Sequence, residues 1–564
     1  MKSESSSLWK SALKAGLIAG AISLLMCLVG MVVAFGETYI ISGVFTLGDL
    51  LLLAPVILLT YSAARKVTLP SKGNLFLLGL ITGLVNGAVL TALILIGQVV
   101  NLRAMFINAS PELYNQLMSG QPLPFGALIP ILRSLVASIL AISIFLLPQR
   151  IRQAVIQAVM WVTILGVLKD QVLLISVAKL PPIRAFLKFF FADSGLSLIG
   201  SVILFILVGG LVYRNAGRVK VTPVRKTPAQ QKRSRIVLII GVLFVLLVLP
   251  PTLGIFFSEI LDTTGLFILM GLGLNIVVGF AGLLDLGYVA FYAIGAYTMG
   301  VFTSSGLGLF SLTFWQALPI ALLFSLLSGI ILCLPVLRMR GDYLAIVTLG
   351  FGEIVRLLVL SDWLKPWLGG TQGIQSIAQP QIGPIVFDTI QELYYLILIA
   401  IAIVAFIAIR LKDSRLGRSW MAIREDEDVA QAMGIDLVIT KLMAFASGAL
   451  FAGLAGTLGA AKLTSVYPHS MTFIISINVL ALIIIGGMGS IPGVFIGALV
   501  LMGLPGVLTE FAEFRWLFYG AALVFMMLTK PEGLWPEARR KLELHEEAEP
   551  FVEEELVSVS TPTD

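Results

Sequence analysis

The chain has 564 residues, of which 58% are hydrophobic and 12% charged, with a formal net charge of +6 and a mean hydropathy of +1.00. A soluble domain carries about 25% charged residues, so this composition excludes an ordinary water-facing surface and points to a polytopic membrane protein. The small, local basic excess argues against nucleic-acid binding. Two cysteines in apolar runs and two distant histidines argue against a disulfide framework, a zinc site or a His-based triad.

The chain opens with MKSESSSLWKSALKAGLIAG, a basic start followed by an apolar run without a clean small-residue cleavage site, and is read as a retained first span. Apolar runs long enough to cross or enter the hydrocarbon core follow at 14–35, 40–61, 74–100, 125–147, 152–178 and 194–213. After a polar interruption they resume at 236–257, 260–280, 281–303, 314–337, 343–361, 388–410, 441–461, 472–488, 492–509 and 515–529. The expectation is an all-α polytopic membrane protein with about sixteen transmembrane or partly embedded helices, several of them broken or re-entrant where glycine is dense.

Positive charge marks the cytoplasmic side. Lys2, Lys10 and Lys14 place the N-terminus inside, and alternation then places Arg65, Lys66, Lys72, Arg150 and Arg152 inside as well. Segment 214–235 also falls inside and carries eight basic residues, from Arg214 to Arg235, with no acidic one; Pro223 and Pro228 break any regular helix there. It is read as a basic cytoplasmic linker, suited to anionic lipid, between an N-terminal membrane region at 1–213 and a second membrane domain at 236–530. Arg338 and Arg340, the loop 411–440 and the tail 531–564 fall on the same side, so both termini are expected in the cytoplasm. The tail, with its run HEEAEPFVEEE, is read as disordered.

Four features of the second domain are candidates for function. In Gly271–Tyr297, six glycines allow close helix approach, while Asn275 and Asp285 are polar at or near membrane depth. Such residues are costly there; a broken helix lining a translocation pathway and a tightly packed, satisfied turn both fit. Glu353 and Arg356, three residues apart on one helix face, suit either a structural pair or a gate element in the pathway. Gly369, Gly370, Thr371 and Gly373 form an external turn that could meet a substrate-delivering protein or merely join two helices.

The fourth feature is AIREDEDVAQAMGID, Ala422–Asp436, the densest charge cluster in the chain. Arg424, Glu425, Asp426, Glu427 and Asp428 run consecutively. As a helix, Asp426 and Glu427 offset the macrodipole at its start, and Val429, Ala432 and Met433 share a face. Ala430, Ala432 and Gly434 remove bulk, and Gly434 can take the left-handed conformation that ends a helix. The result is a short cytoplasmic helix suited to a socket on a partner; a solvated loop fits the charges too. After it, Gly448, Ala449, Ala452, Gly453, Gly456, Gly459 and Ala460 form small-residue pairs at helical spacing, which serve packing or carry movement of the loop.

Gly271–Tyr297, Met339–Leu358, Gly369–Ile374, Leu416–Ile435 and Ile483–Ala498, in this order, resemble the LivM-type permease subunit of branched-chain amino acid ABC importers, over about residues 236–530. Residues 1–213 do not share the resemblance. It implies that the loop is a coupling helix docking on an ATPase. It also implies a LivH-type permease partner, two ABC ATPases, an external solute-binding protein and an amino acid substrate in the plasma (inner) membrane. No G-x-x-x-x-G-K-[ST] motif occurs, so ATP and Mg would sit on partner subunits and no cofactor on this chain. The alternative is a secondary transporter with ion-coupled alternating access, for which Lys169–Asp170 and Asp285 offer thin support. No clustered acid, base or nucleophile supports an intramembrane enzyme.

Overall fold

The computed structural model describes residues 2–66, 71–175, 181–192, 194–215, 241–242, 244–337, 339 and 341–536. Most of the basic linker 214–235, Arg338, Arg340 and all but the first six residues of the tail 531–564 lie outside the described residues. The chain divides into two compact units, Met1–Val242 and Leu243–Asp564.

Among the described residues, twelve helices are long and apolar enough to cross a membrane. Six lie in the first unit: Trp9–Val29, Leu47–Lys66, Lys72–Val99, Phe125–Leu146, Gln149–Val167 and Leu198–Asn215. Six more lie in the second unit, and shorter apolar helices occupy Phe244–Leu253, Val289–Thr303, Ile491–Val507 and Arg515–Thr529 among its described residues. Of the expected segments, 281–303 is cut to Val289–Thr303 by the turn at Gly282, while 515–529 appears at its expected bounds.

Lipid supplies no hydrophobic drive between helices, so small residues and buried hydrogen bonds hold them together. In the first unit, Asn86 Nδ2 donates to Ser134 Oγ at 2.8 Å, Ser23 Oγ reaches the Leu52 carbonyl at 3.2 Å, and the Thr60 and Thr82 hydroxyls meet at 3.0 Å. Arg133 pairs with Asp49 at 3.1 Å. Outside the spans, strand Tyr39–Ile41 lies between Phe45–Thr46, antiparallel, and Gly195–Leu196, parallel; the latter also pairs antiparallel with Phe191–Ala192.

The second unit is built around two helices. The span Ile255–Phe280 is 89% buried over its apolar window, against at most 56% for any other span. A helix that is apolar all round belongs in the interior, and this one is the axis of the unit. Leu437–Leu463 packs against it and also against Val289–Thr303 and Phe314–Val336. The small-residue stripe lies in these contacts: a Cβ on Gly456 would fall 2.1 Å from the Tyr292 carbonyl oxygen, and one on Gly295 would fall 2.4 Å from that of Gly453. Those backbones are closer than any side chain allows. At one end of the same helix, Ser465–Val466 pairs antiparallel with Ile374–Gln375.

Candidate functional site

The axial span does not end cleanly. Its α-helix, Ile255–Leu274, loosens into a π-helical turn at Asn275–Phe280, where the Ala281 N–H reaches back to the Ile276 carbonyl at 3.1 Å. Such turns commonly mark functional positions. Gly282 then takes φ +71° and reverses the chain, and a buried loop runs to the next helix at Val289. Because the loop has no ladder of its own, its polar groups are satisfied by distant elements. The Leu286 N–H donates to Thr348 Oγ1 at 3.0 Å, the Tyr288 hydroxyl to the Gly448 carbonyl at 2.8 Å, and the Val289 N–H to Ser476 Oγ at 2.9 Å.

Asn275 and Asp285 both sit in this break, fully buried. Asn275 Oδ1 accepts from the Gly489 N–H at 2.9 Å, and Asp285 Oδ1 from the Gly287 N–H at 2.9 Å. Asn275 Nδ2 and Asp285 Oδ2 lack a hydrogen bond among the described residues. Each side chain therefore fixes the broken segment with one atom and keeps a second polar atom in reserve.

The charge cluster forms a two-helix arm, Arg415–Glu425 and Glu427–Ala432. Ser414 caps the first helix through the Gly417 N–H at 3.2 Å, and Trp420, fully buried, donates to the Thr440 carbonyl at 2.8 Å. Asp426 breaks the two helices apart and caps the second, accepting from Asp428 N–H at 2.9 Å and Val429 N–H at 3.0 Å. The end is a Schellman motif: Ile435 N–H reaches Ala430 O at 3.1 Å, Gly434 N–H reaches Gln431 O at 2.9 Å, and Gly434 has φ +87°.

The five charges divide by direction. Arg424 turns inward, and its Nη1 donates to the Gly279 carbonyl of the π-helical turn at 2.6 Å. Glu427 pairs with Lys441, whose side chain is 2% exposed. Glu425, Asp426 and Asp428 face outward. Val429 and Met433 are 58% and 79% exposed, and Ala432 and Gly434 are exposed beside them. Ala430 differs from the expectation of an outward small residue: it is 3% exposed, and its small size lets the arm lie on its own chain. A cleft of about 180 Å³ separates the arm at Arg424 and Glu427 from Gly282–Leu284.

Glu353 and Arg356 pair with each other on the Asp342–Leu360 helix, with Arg356 Nε 3.0 Å from both carboxylate oxygens. This helix meets the broken segment at Gly287, so the structure brings the Asp285 loop and the Arg356 helix together. Asn275 faces Gly489 instead. The Gly369–Gly373 turn is a packed joint: a Cβ on Gly373 would lie 2.0 Å from the Val466 carbonyl oxygen, while Thr371 stays exposed. Two residues that sequence reasoning passed over now matter. Lys441 betrays itself only as a cation at the start of an apolar run, and Tyr297 as a phenol within one.

The family described as the permease component of branched-chain amino acid transport systems matches residues 256–529. The high-affinity branched-chain amino acid transport permease proteins LivM of Salmonella typhimurium and of Escherichia coli are each 41% identical over 309 residues, covering 51% of this chain and 71% of theirs. The permease protein LivH of Escherichia coli is 25% identical over 293 residues, covering 48% of this chain and 90% of its own. No solved structure matches. A multi-pass chain whose second unit carries this broken axial span, and which shares this identity with two LivM proteins, belongs to the LivM-type family of branched-chain amino acid transport permeases.

Proposed function

We propose that this permease is the transmembrane subunit of an ABC importer for branched-chain or related amino acids, and that the arm 415–434 couples ATP hydrolysis on partner subunits to alternating access. The observation that carries the reading is the Arg424–Gly279 bond. It joins an arm with an exposed apolar tip, Val429 and Met433, to the break in the axial span. A motor gripping the tip would pull on the break directly. The chain has no P-loop, so ATP and Mg belong to two ABC ATPases. A LivH-type permease would complete the membrane pathway, and an external solute-binding protein would deliver the amino acid. In this reading the protein lies in the plasma (inner) membrane with both termini and the arm in the cytoplasm.

The test is reconstitution of the full complex in proteoliposomes, with uptake and ATP hydrolysis measured together. Replacing both Val429 and Met433 with Asp should abolish ATPase association and uptake, because a charged tip cannot enter an apolar socket without desolvation. The fold should survive, since both side chains already face solvent. Uptake that persists in this variant, or that runs on an ion gradient without ATP, would favour the secondary-carrier alternative.

A further inference from the structure

We propose that the groove between the Val289–Thr303 and Asp342–Leu360 helices seats the transported amino acid, its carboxylate at Arg356 and the Tyr297 hydroxyl, its aliphatic side chain against the groove wall. This assignment rests on the transport reading above and adds to it a location and a set of contacts. The groove has a volume of about 400 Å³. Its wall is almost wholly apolar, with Val301, Phe302, Val355, Leu358 and Val359 among the lining residues. Ligand sites combine such walls with a few convergent polar groups, and here the polar groups can be named.

The first is Tyr297. The residue is 4% exposed, and its hydroxyl has no hydrogen-bond partner among the described residues. Its neighbour on the wall, Thr298, spends its own hydroxyl on the Ile294 carbonyl at 2.7 Å. Buried phenols rarely stay unpaired in native interiors, so this enclosed hydroxyl calls for a partner from outside the chain. The second is Arg356. It lines a water-sized cleft of about 10 Å³ together with Tyr297, Val355 and Val359, and these last three also wall the groove. Tyr297 therefore borders both the apolar groove and the cleft that Arg356 lines.

Glu353, paired to Arg356, places an anion next to that cation. A zwitterion with an aliphatic tail matches this pattern of charges and walls. Glu353 takes Nε and Nη2 of Arg356, which leaves the remaining guanidinium donors and the phenol to receive the substrate carboxylate. A lipid acyl chain would fill the same walls but would leave the Tyr297 hydroxyl unpaired and would have no use for the charge pair.

The experiment uses the complete complex in proteoliposomes with radiolabelled leucine and valine, ATP hydrolysis being followed in parallel. Tyr297→Phe keeps the ring and removes the hydroxyl; leucine uptake should fall about tenfold while ATP hydrolysis stays within about twofold of the parent. Leu358→Trp narrows the groove from a side chain that is already 45% exposed, so folding is not at stake. It should depress leucine uptake at least about threefold more than valine uptake, since one methylene in an apolar pocket decides differences of that order. Unchanged leucine uptake in Tyr297→Phe together with an unchanged leucine-to-valine ratio in Leu358→Trp would overturn the assignment. Loss of co-purified lipid from Leu358→Trp with transport intact would also overturn it, by making the groove a lipid seat. A parent complex without ATP-driven leucine uptake would instead sink the transport reading itself, so the two failures are told apart.

Discussion

Arg424 and Glu427 sit three residues apart in the same acidic run and do opposite work from the exposed charges between and around them. Hydrogen bonds to charged groups contribute about 1.5–3 kcal/mol, so the Arg424–Gly279 bond helps hold the arm to the π-helical turn. Replacing Arg424 with Gln removes the charge and shortens the reach. ATP hydrolysis by the reconstituted complex should persist while leucine uptake falls by about an order of magnitude; Arg424→Lys should recover part of it. Equal loss of both activities would mean that Arg424 only holds the fold. The Glu427–Lys441 pair is structural by contrast, with the ammonium almost fully enclosed. Removing one partner of such a pair strands the other and costs about 3–5 kcal/mol, toward the lower end here because Glu427 keeps some solvent contact. Glu427→Gln should lower the thermal midpoint in detergent, and adding Lys441→Met to it should restore most of the loss. If the double variant is as unstable as the single one, Lys441 is not held by Glu427.

At the scale of elements, the broken span shows how far local pattern reaches. The apolar run 281–303 reads as a helix of spanning length, yet regular helix starts only at Val289. The reason is not local. Leu286, Tyr288 and Val289 are stitched to Thr348, Gly448 and Ser476, between 62 and 187 positions away, and no window of neighbouring residues contains those partners. The small residues of the motif do signal close packing, but not against what. The arm was more legible. Asp426 as a cap and Gly434 as a left-handed stop are properties of a few consecutive residues, so the short helix between them follows from sequence. The inward turn of Ala430 and Arg424 does not, because it depends on what lies beneath. Gly287 tests the stitched loop. A Cβ there would fall 1.8 Å from the Thr348 carbonyl oxygen, a backbone atom that cannot step aside. Gly287→Ala should therefore reduce folded protein severely, measured as the monodisperse fraction after detergent extraction. Gly350→Ala, on the same facing helix but with open space around it, should leave that fraction unchanged.

At the scale of the whole molecule, composition alone was enough to identify a membrane protein, because no arrangement of so few charges can cover a soluble surface. Sidedness is a separate matter, decided by a handful of Lys and Arg residues and by counting spans, and a single miscounted helix inverts every loop beyond it. The arm and the Gly369–Gly373 turn sit on opposite sides of the membrane if the Ile390–Asp413 helix, which separates them, crosses it completely; its 24 residues rise about 36 Å at 1.5 Å each, enough for a 30 Å core. The coupling reading requires the arm inside and the turn outside. Both native cysteines, Cys27 and Cys333, are fully buried, so a membrane-impermeant maleimide meets a quiet background. Val429→Cys should label only in inverted vesicles and Thr371→Cys only in intact cells, since both parent side chains are exposed. Labelling of both from one side would mean that Ile390–Asp413 does not span. Labelling with the two sides exchanged would leave the fold intact but turn the arm away from any cytoplasmic motor, and the coupling role of Arg424 would go with it.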